Sequence, residues 1–291
     1  MTDNTTPCAI NSYTCFDTKI EHHIAHISLC CPERLNSMVA EFWLELPALV
    51  RELDARGDVR VIVISSTGKH FSAGMDLSVF ANMAEQFKGE PARRAETMRR
   101  SILGLQDAFN ALETVRMPVL VAIQGGAIGG AVDMISAADC RYCTADAFFT
   151  IKETQLGMTA DVGTLQRLPH LIPAGLIREL AYTGRNWSAQ EALQQGFVNA
   201  VFADEDAMIK AVMKTAQTIA ANSPMAVAGC KTIINYTRDH SVADSLDYMA
   251  TWQAGMFQMP DVMEAMQAQQ AKRMPEYENL TPRAAMMKSS E

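Results

Sequence analysis

No apolar run in this 291-residue sequence is long enough to cross a bilayer. The opening residues, Met1-Thr2-Asp3-Asn4, carry neither the basic nor the apolar stretch of a secretory signal. The closing residues, Lys288-Ser289-Ser290-Glu291, match no recognised peroxisomal or retention address. Positive charge is in short supply: 25 lysines and arginines face 33 acids, for a net charge of −8 and a pI near 5.3. That balance disfavours broad nucleic-acid binding. Paired cysteine spacing is missing as well. Cys8, Cys15, Cys30, Cys31, Cys140, Cys143 and Cys230 are odd in number and scattered, which reads as reduced thiols rather than a disulfide framework. These absences predict a soluble cytoplasmic protein with no membrane and no nucleic-acid partner.

Familiar catalytic signatures are absent too. There is no Gly-x-Ser-x-Gly nucleophile elbow, no phosphate-binding P-loop and no strict Gly-x-Gly-x-x-Gly order, so serine hydrolase, nucleotide hydrolase and dinucleotide readings lose their usual support. His22, His23, His26, Cys30 and Cys31 cluster, but on one strand His22 and His26 would stand about 13 Å apart at ~3.3 Å per residue, too far for a shared ion. No metal is expected.

What is present is a large hydrophobic fraction, 48%, enough for one sizeable core with a smaller appendage. Residues 24–29, 61–65 and 119–123 are short β-branched runs bounded by turn residues, and they predict buried parallel strands. Between the first two, Met38, Phe42, Leu46, Leu49, Val50 and Leu53 recur at helical spacing. A glycine run, Gly125-Gly126-Ala127-Ile128-Gly129-Gly130, follows the third strand and opens a helix carrying Val132, Ile135 and Ser136. Residues 141–151 predict a further extended stretch. Residues 84–100 predict a polar loop or exposed helix, and the last dozen residues a frayed end. From about residue 206 the pattern is nearly all helix, with Ser223-Pro224 as a start signal and Met259-Pro260-Asp261 as a break. The class is α/β, divided into a core over 1–205 and a helical region over 206–291.

The chemistry concentrates in two glycine-containing turns and three acids. Phe71-Ser72-Ala73-Gly74-Met75-Asp76-Leu77 lies just after a buried strand, and Gly129-Gly130 lies at a helix start. Such turns can aim backbone N–H groups at a developing oxyanion. They can equally serve strand-to-helix packing, with Gly74 supplying an unusual φ. Asp133, Glu153 and Asp161 can move protons. Singly, Asp133 reads equally as a helix-dipole cap, and Glu153 and Asp161 as solvated surface acids. Their joint placement near the turns suits proton transfer on carbon next to a carbonyl.

The chain resembles the crotonase (enoyl-CoA hydratase/isomerase) superfamily over nearly its whole length. The residues that carry the resemblance are Phe71–Leu77, Ile123-Gln124-Gly125-Gly126-Ala127-Ile128-Gly129-Gly130, Leu165-Gln166-Arg167-Leu168-Pro169, Tyr182-Thr183-Gly184-Arg185, Ala189–Ala192 and Gly196-Phe197-Val198. Within it, Asp133, Glu153 and the added acid in Ala160-Asp161-Val162-Gly163-Thr164 are most similar to the dienoyl-CoA isomerase branch, as is the stretch 140–149. The resemblance implies a crotonase-like spiral of ββα units with a C-terminal helical trimerisation region, assembled as a hexamer. It implies an acyl-CoA substrate and no cofactor beyond the coenzyme A of the substrate itself. It implies Asp133, Glu153 and Asp161 as catalytic acids, the N–H groups of Ala73 and Gly130 as the oxyanion hole, and Ala73, Gly74, Met75, Asp76, Leu77 and Gly130 as the substrate-binding turn. The reaction implied is the shift of 3,5-dienoyl-CoA to 2,4-dienoyl-CoA in fatty-acid β-oxidation. A 2-enoyl-CoA hydratase, another enoyl-CoA isomerase, and a non-catalytic RNA-binding member of the fold are the alternatives.

Overall fold

The three β-branched runs form the centre of a six-stranded sheet. The computed structural model describes residues 12–79, 81 and 89–283. Its strands are β1 (Phe16–Glu21), β2 (Ile24–Leu29), β3 (Val61–Ser66), β4 (Val119–Ile123), β5 (Gly126–Ile128), β6 (Cys140–Thr144), β7 (Phe148–Thr150), β8 (Trp187–Ser188) and β9 (Ala200–Phe202). The main sheet runs β1-β2-β3-β4-β6-β9, and β5, β7 and β8 form a small second sheet. All pairs of the main sheet are parallel except β1 with β2.

β1 and β2 are joined by a two-residue turn, His22-His23, with φ of 51° and 65°. Two left-handed residues match the strand twist of a hairpin. His22 is thus in a turn, not on a strand face with His26. His23 Nδ1 lies 2.8 Å from the Asp58 carbonyl, and His26 Nε2 lies 2.8 Å from Ser65 Oγ. Among the described residues no group of three or more His, Cys, Asp or Glu is placed to hold a metal.

β3 is buried on both faces, and its alternation divides the interior. Ile62 and Ile64 face the larger core with Phe42, Leu46, Leu49 and Leu53 of α1 (Ala40–Arg56). Val61 and Val63 face a second cluster with Leu120, Ala122 and Tyr142. α2 (Pro91–Thr114) is capped by Glu90, whose carboxylate accepts from the N–H groups of Ala92 and Arg93. Its first half is exposed; Ala108, Phe109, Ala111 and Leu112 anchor the second half. The expected loop or exposed helix over 84–100 is therefore helical from Pro91, and 84–88 lie outside the described residues.

The glycine run contributes more than a helix start: its middle is β5, paired with β7, and α3 (Gly130–Ser136) begins right after it. A single turn, α4 (Thr164–Arg167), then α5 (Ala174–Thr183) and α6 (Ala189–Gln194), lead to β9. α7 (Glu205–Ala220) lays Met208, Val212, Ala216 and Ala220, spaced four apart, on the Val61–Val63 face of the sheet. The expected division at 205/206 falls at the start of α7, and α7 itself packs on the core sheet. α8 (Pro224–Asp239) is capped by Ser223, α9 (Val242–Met256) ends before the expected break, and α10 (Met259–Ala271) restarts with Pro260 in its first turn.

The chain then returns to its beginning. Arg60 donates to the Tyr277 carbonyl at 2.6 Å and to Asn279 Oδ1 at 2.9 Å. Leu280 is buried against Gly57. The Arg283 N–H donates to the Ala55 carbonyl, and the buried Asp54 carboxylate pairs with Arg116 at 2.7 Å and Arg283 at 2.9 Å. Fraying over the last dozen residues does not hold for 280–283, because buried apolar and ionic partners pin them. Residues 284–291 lie outside the described residues.

Candidate active site

The first glycine turn is built by pairing with two distant segments. The Ser72 N–H donates to the Gly126 carbonyl at 3.2 Å, and the Ile128 N–H returns to Ser72 at 3.1 Å. Gly74 has φ +82°, and a Cβ there would stand 2.4 Å from the Ile128 oxygen, so only glycine fits. The Met38 N–H donates to Gly74 O at 2.8 Å, and the Asp76 N–H donates to Met38 O at 3.1 Å. Successive groups of an extended strand alternate in direction. With 74 and 76 turned toward Met38, the Met75 N–H points the other way, toward Gly130. A Cβ on Gly130 would stand 3.7 Å from Met75 N. Gly130 is the first residue of α3, where the N–H has no intrahelical acceptor.

This corrects one of the two expected oxyanion donors. The Ala73 N–H donates to the Leu35 carbonyl at 2.9 Å and is not available to a ligand. The converging amides are those of Met75 and Gly130. The sequence motif locates the turn, but which amide is left unpaired depends on the Met38–Met75 bridge, a contact between segments 37 residues apart.

A cavity of about 280 Å³ opens onto these amides. Ala73, Met75, Ile128, Gly129 and Gly130 form its base, and Met98, Ile102 and Leu105 of α2 form an apolar wall. Lys152, Glu153, Leu156, Met158, Asp161 and Val162 complete it. Gly74 shapes the turn from beneath without lining the cavity. Asp76 accepts from Ser37 Oγ and from Ser78, and Leu77 is exposed; neither lines the cavity. A larger cleft of about 550 Å³ lies among α8–α10, but its walls are mainly apolar and its one carboxylate, Asp261, is engaged by Ser223.

The structure brings the three acids into one neighbourhood. Glu153 opens a 3-10 turn, and its Oε1 lies 3.2 Å from where a Cβ on Gly129 would stand, beside the Gly129-Gly130 turn. Its Oε2 is buried without a partner among the described residues. Asp161 lies on the following loop, exposed at the cavity wall. Asp133 is fully buried and does not line the cavity. Instead of capping its own helix it receives the Thr164 N–H on Oδ1 at 2.6 Å, and its Oδ2 has no partner among the described residues. Burial pushes the Glu153 carboxyl up to about 7, and the adjacent Asp133 charge adds to the rise. Burial pushes Asp133 up to about 6, against the pull of Thr164. Desolvation raises Asp161 as well. Glu153 and Asp133, both raised toward neutrality, give a proton-holding and a proton-accepting form there.

Comparison with known proteins places this geometry. The Enoyl-CoA hydratase/isomerase family model matches residues 19–280. The mitochondrial Delta(3,5)-Delta(2,4)-dienoyl-CoA isomerase of Mus musculus is 44% identical over 258 residues, 88% of this chain and 79% of that protein. The peroxisomal enzyme of the same name from Arabidopsis thaliana is 40% identical, covering 88% of this chain and 93% of that protein. The crystal structure of an enoyl-CoA hydratase from Bacillus anthracis superposes with a TM-score of 0.82 at 29% identity, covering 91% of this chain and 99% of that one. The α/β crotonase fold expected from the sequence is the fold found. The cytoplasmic expectation is overturned, because these isomerases are named for the mitochondrion and the peroxisome. Cysteine spacing and charge describe a reducing, aqueous setting, and that does not single out the cytosol. On the span of the family model and the identity to these relatives, the chain belongs to the enoyl-CoA hydratase/isomerase family.

Proposed function

We propose that this chain isomerises 3,5-dienoyl-CoA to 2,4-dienoyl-CoA. The observation that carries the reading is the pairing, in one cavity, of two carboxyl groups, Glu153 and Asp161, with the converging amides of Met75 and Gly130. The relatives named for this reaction support it. The thioester oxygen accepts from the two amides. Asp161 takes a proton from C2, the released electron pair delocalises onto the thioester oxygen and, through the two double bonds, onto C6, and Glu153 delivers a proton to C6 as the double bonds settle at C2 and C4. Burial, and then the charge of Asp133 behind it, raise the Glu153 carboxyl to about 7, so that it can hold a proton near neutral pH. Electrons are redistributed with no net oxidation, so the chemistry calls for no redox group. The apolar wall from α2 suits an acyl chain.

The test is spectrophotometric: 3,5-dienoyl-CoA should gain the absorbance of a diene conjugated to the thioester. Efficient hydration of a 2-enoyl-CoA with the 3,5-diene untouched would overturn the reading in favour of a hydratase.

The same reading extends to assembly as a hexamer through α8, α9 and α10. Ile234, Leu246, Met256, Phe257, Met263 and Met266 are exposed on a single chain, more apolar surface than a monomer usually leaves in water. A monomeric mass by light scattering at micromolar concentration would refute it.

A further inference from the structure

We propose that Arg167 is a positioning residue that sets where Asp161 reaches in the cavity; this rests on the functional reading above. Of residues 161–164, three are held by a side-chain hydrogen bond and the fourth, Gly163, lies against the Arg167 guanidinium. Gln106 Nε2 donates to the Asp161 carbonyl at 2.7 Å. Arg167 Nη1 reaches the Val162 carbonyl at 3.4 Å. Gly163 has φ +134°, and a Cβ there would stand 1.7 Å from Arg167 Nη1, so the guanidinium occupies the space a side chain would need. The Thr164 N–H is taken by Asp133.

Arg167 is itself fastened to α2. Its Nη2 donates to Asn110 Oδ1 at 2.6 Å and to Glu113 Oε2 at 3.0 Å. Gln106, Asn110 and Glu113 are spaced four and three apart, one stripe of the helix. The adjacent stripe, Met98, Ile102 and Leu105, is the apolar wall of the cavity. Glu113 is also paired with Arg238 of α8 at 2.6 Å. Arg167 thus ties the loop bearing one proposed acid to the helix that shapes the acyl wall. It is buried, and its Nε has no partner among the described residues. An orphaned buried donor costs stability, and such local violations gather where placement serves function.

The test compares Arg167→Lys, Arg167→Met and Asn110→Ala with Arg116→Met, which breaks a buried ion pair remote from the cavity. Expected is a fall in kcat on 3,5-dienoyl-CoA of at least ~10-fold for Arg167→Met, as for a misplaced catalytic group, with KM within about twofold. Arg167→Lys should lose less and Asn110→Ala least. Arg116→Met should lose thermal stability at unchanged kcat. Carbon NMR titration of labelled aspartate, assigned through Asp161→Asn, gives a readout without substrate: in Arg167→Lys the Asp161 carboxyl should titrate lower as the loop admits water. If wild type is inert on the diene, the functional reading fails, and the titration alone decides the positioning role. An Asp161 titration unmoved in Arg167→Lys, or normal kcat in folded Arg167 variants, would overturn the proposal. Should both Arg167 variants fail to fold, unchanged kcat and titration in Asn110→Ala overturn it.

Discussion

Proline at the first position of a helix keeps the fold and removes one donor, because that N–H has no helical acceptor. Gly130 is such a position in α3. Gly130→Pro should lower isomerase turnover ~10²–10³-fold, the usual loss for one oxyanion donor, while circular dichroism stays native. Unchanged turnover in the folded variant would remove Gly130 from the site. The acids give a second prediction. Glu153 must hold a proton to act as the acid, so turnover should fall as pH rises past about 7. Asp161 must lose one to act as the base, and its carboxyl is raised above 3.8, so turnover should also fall on the acid side, at a pH above that value. A rate that keeps climbing from pH 7 to 9 would exclude Glu153 as the acid. Stability carries the same signature. Between the ordinary value of 4.5 and about 7 the folded chain holds a proton that the unfolded chain has released, so stability falls as pH rises through that window. Glu153→Gln should flatten the fall by about 1–3 kcal/mol, allowing for partial solvent contact, measured by denaturant melts at pH 4.5 and 8. At this scale the gathering of the three acids beside the Gly129-Gly130 turn was legible in the sequence. That Met75 rather than Ala73 carries the spare amide was not, since it is defined by what Met38 takes from its neighbours.

β3 lies between two cores, and its substitutions should show it. Ile64→Ala should cost ~2–5 kcal/mol through the cavity it leaves. Val63→Thr, on the α7 side, should cost ~1–3 kcal/mol through an unpaired buried hydroxyl. A strand with one wet face would tolerate one of the two, and near-zero cost at Val63 in a urea melt would contradict burial on both sides. Of the strands read correctly from sequence, β3 and β4 are buried on both faces and carry a nearly continuous apolar run, while β2 alternates Ile24, Ile27 and Leu29 with the half-buried His26 and Ser28. β1 was missed because it is an edge strand alternating buried and exposed residues, Phe16-Asp17-Thr18-Lys19. β5 was missed because three residues inside a glycine run carry no β-branched signal beyond Ile128, and only pairing with β7 makes them a strand. The tight loop before α4 was legible as an extra acid, but not as a segment gripped by α2, since the grip comes from residues more than fifty positions away.

At the scale of the whole molecule, the returning segment over 277–283 closes the chain on itself. Removing residues 277–291 would leave the Asp54 carboxylate without Arg283 and expose the Leu280 seat. Such a truncation should lower the melting temperature by several degrees, as a loss of about 1–3 kcal/mol implies, while the cavity and its acids remain. An unshifted melt would show the segment to be passive. The closure also has a consequence for synthesis. Arg60 and its partner Asn279 stand 219 residues apart in the chain. At ~5–20 residues per second of synthesis, one waits roughly ten to forty seconds for the other. Contacts so distant in sequence are slow to form, so the docking of the 277–283 segment on the end of α1 should come late in folding, and a chain that has not yet made it should be the form most exposed to proteases.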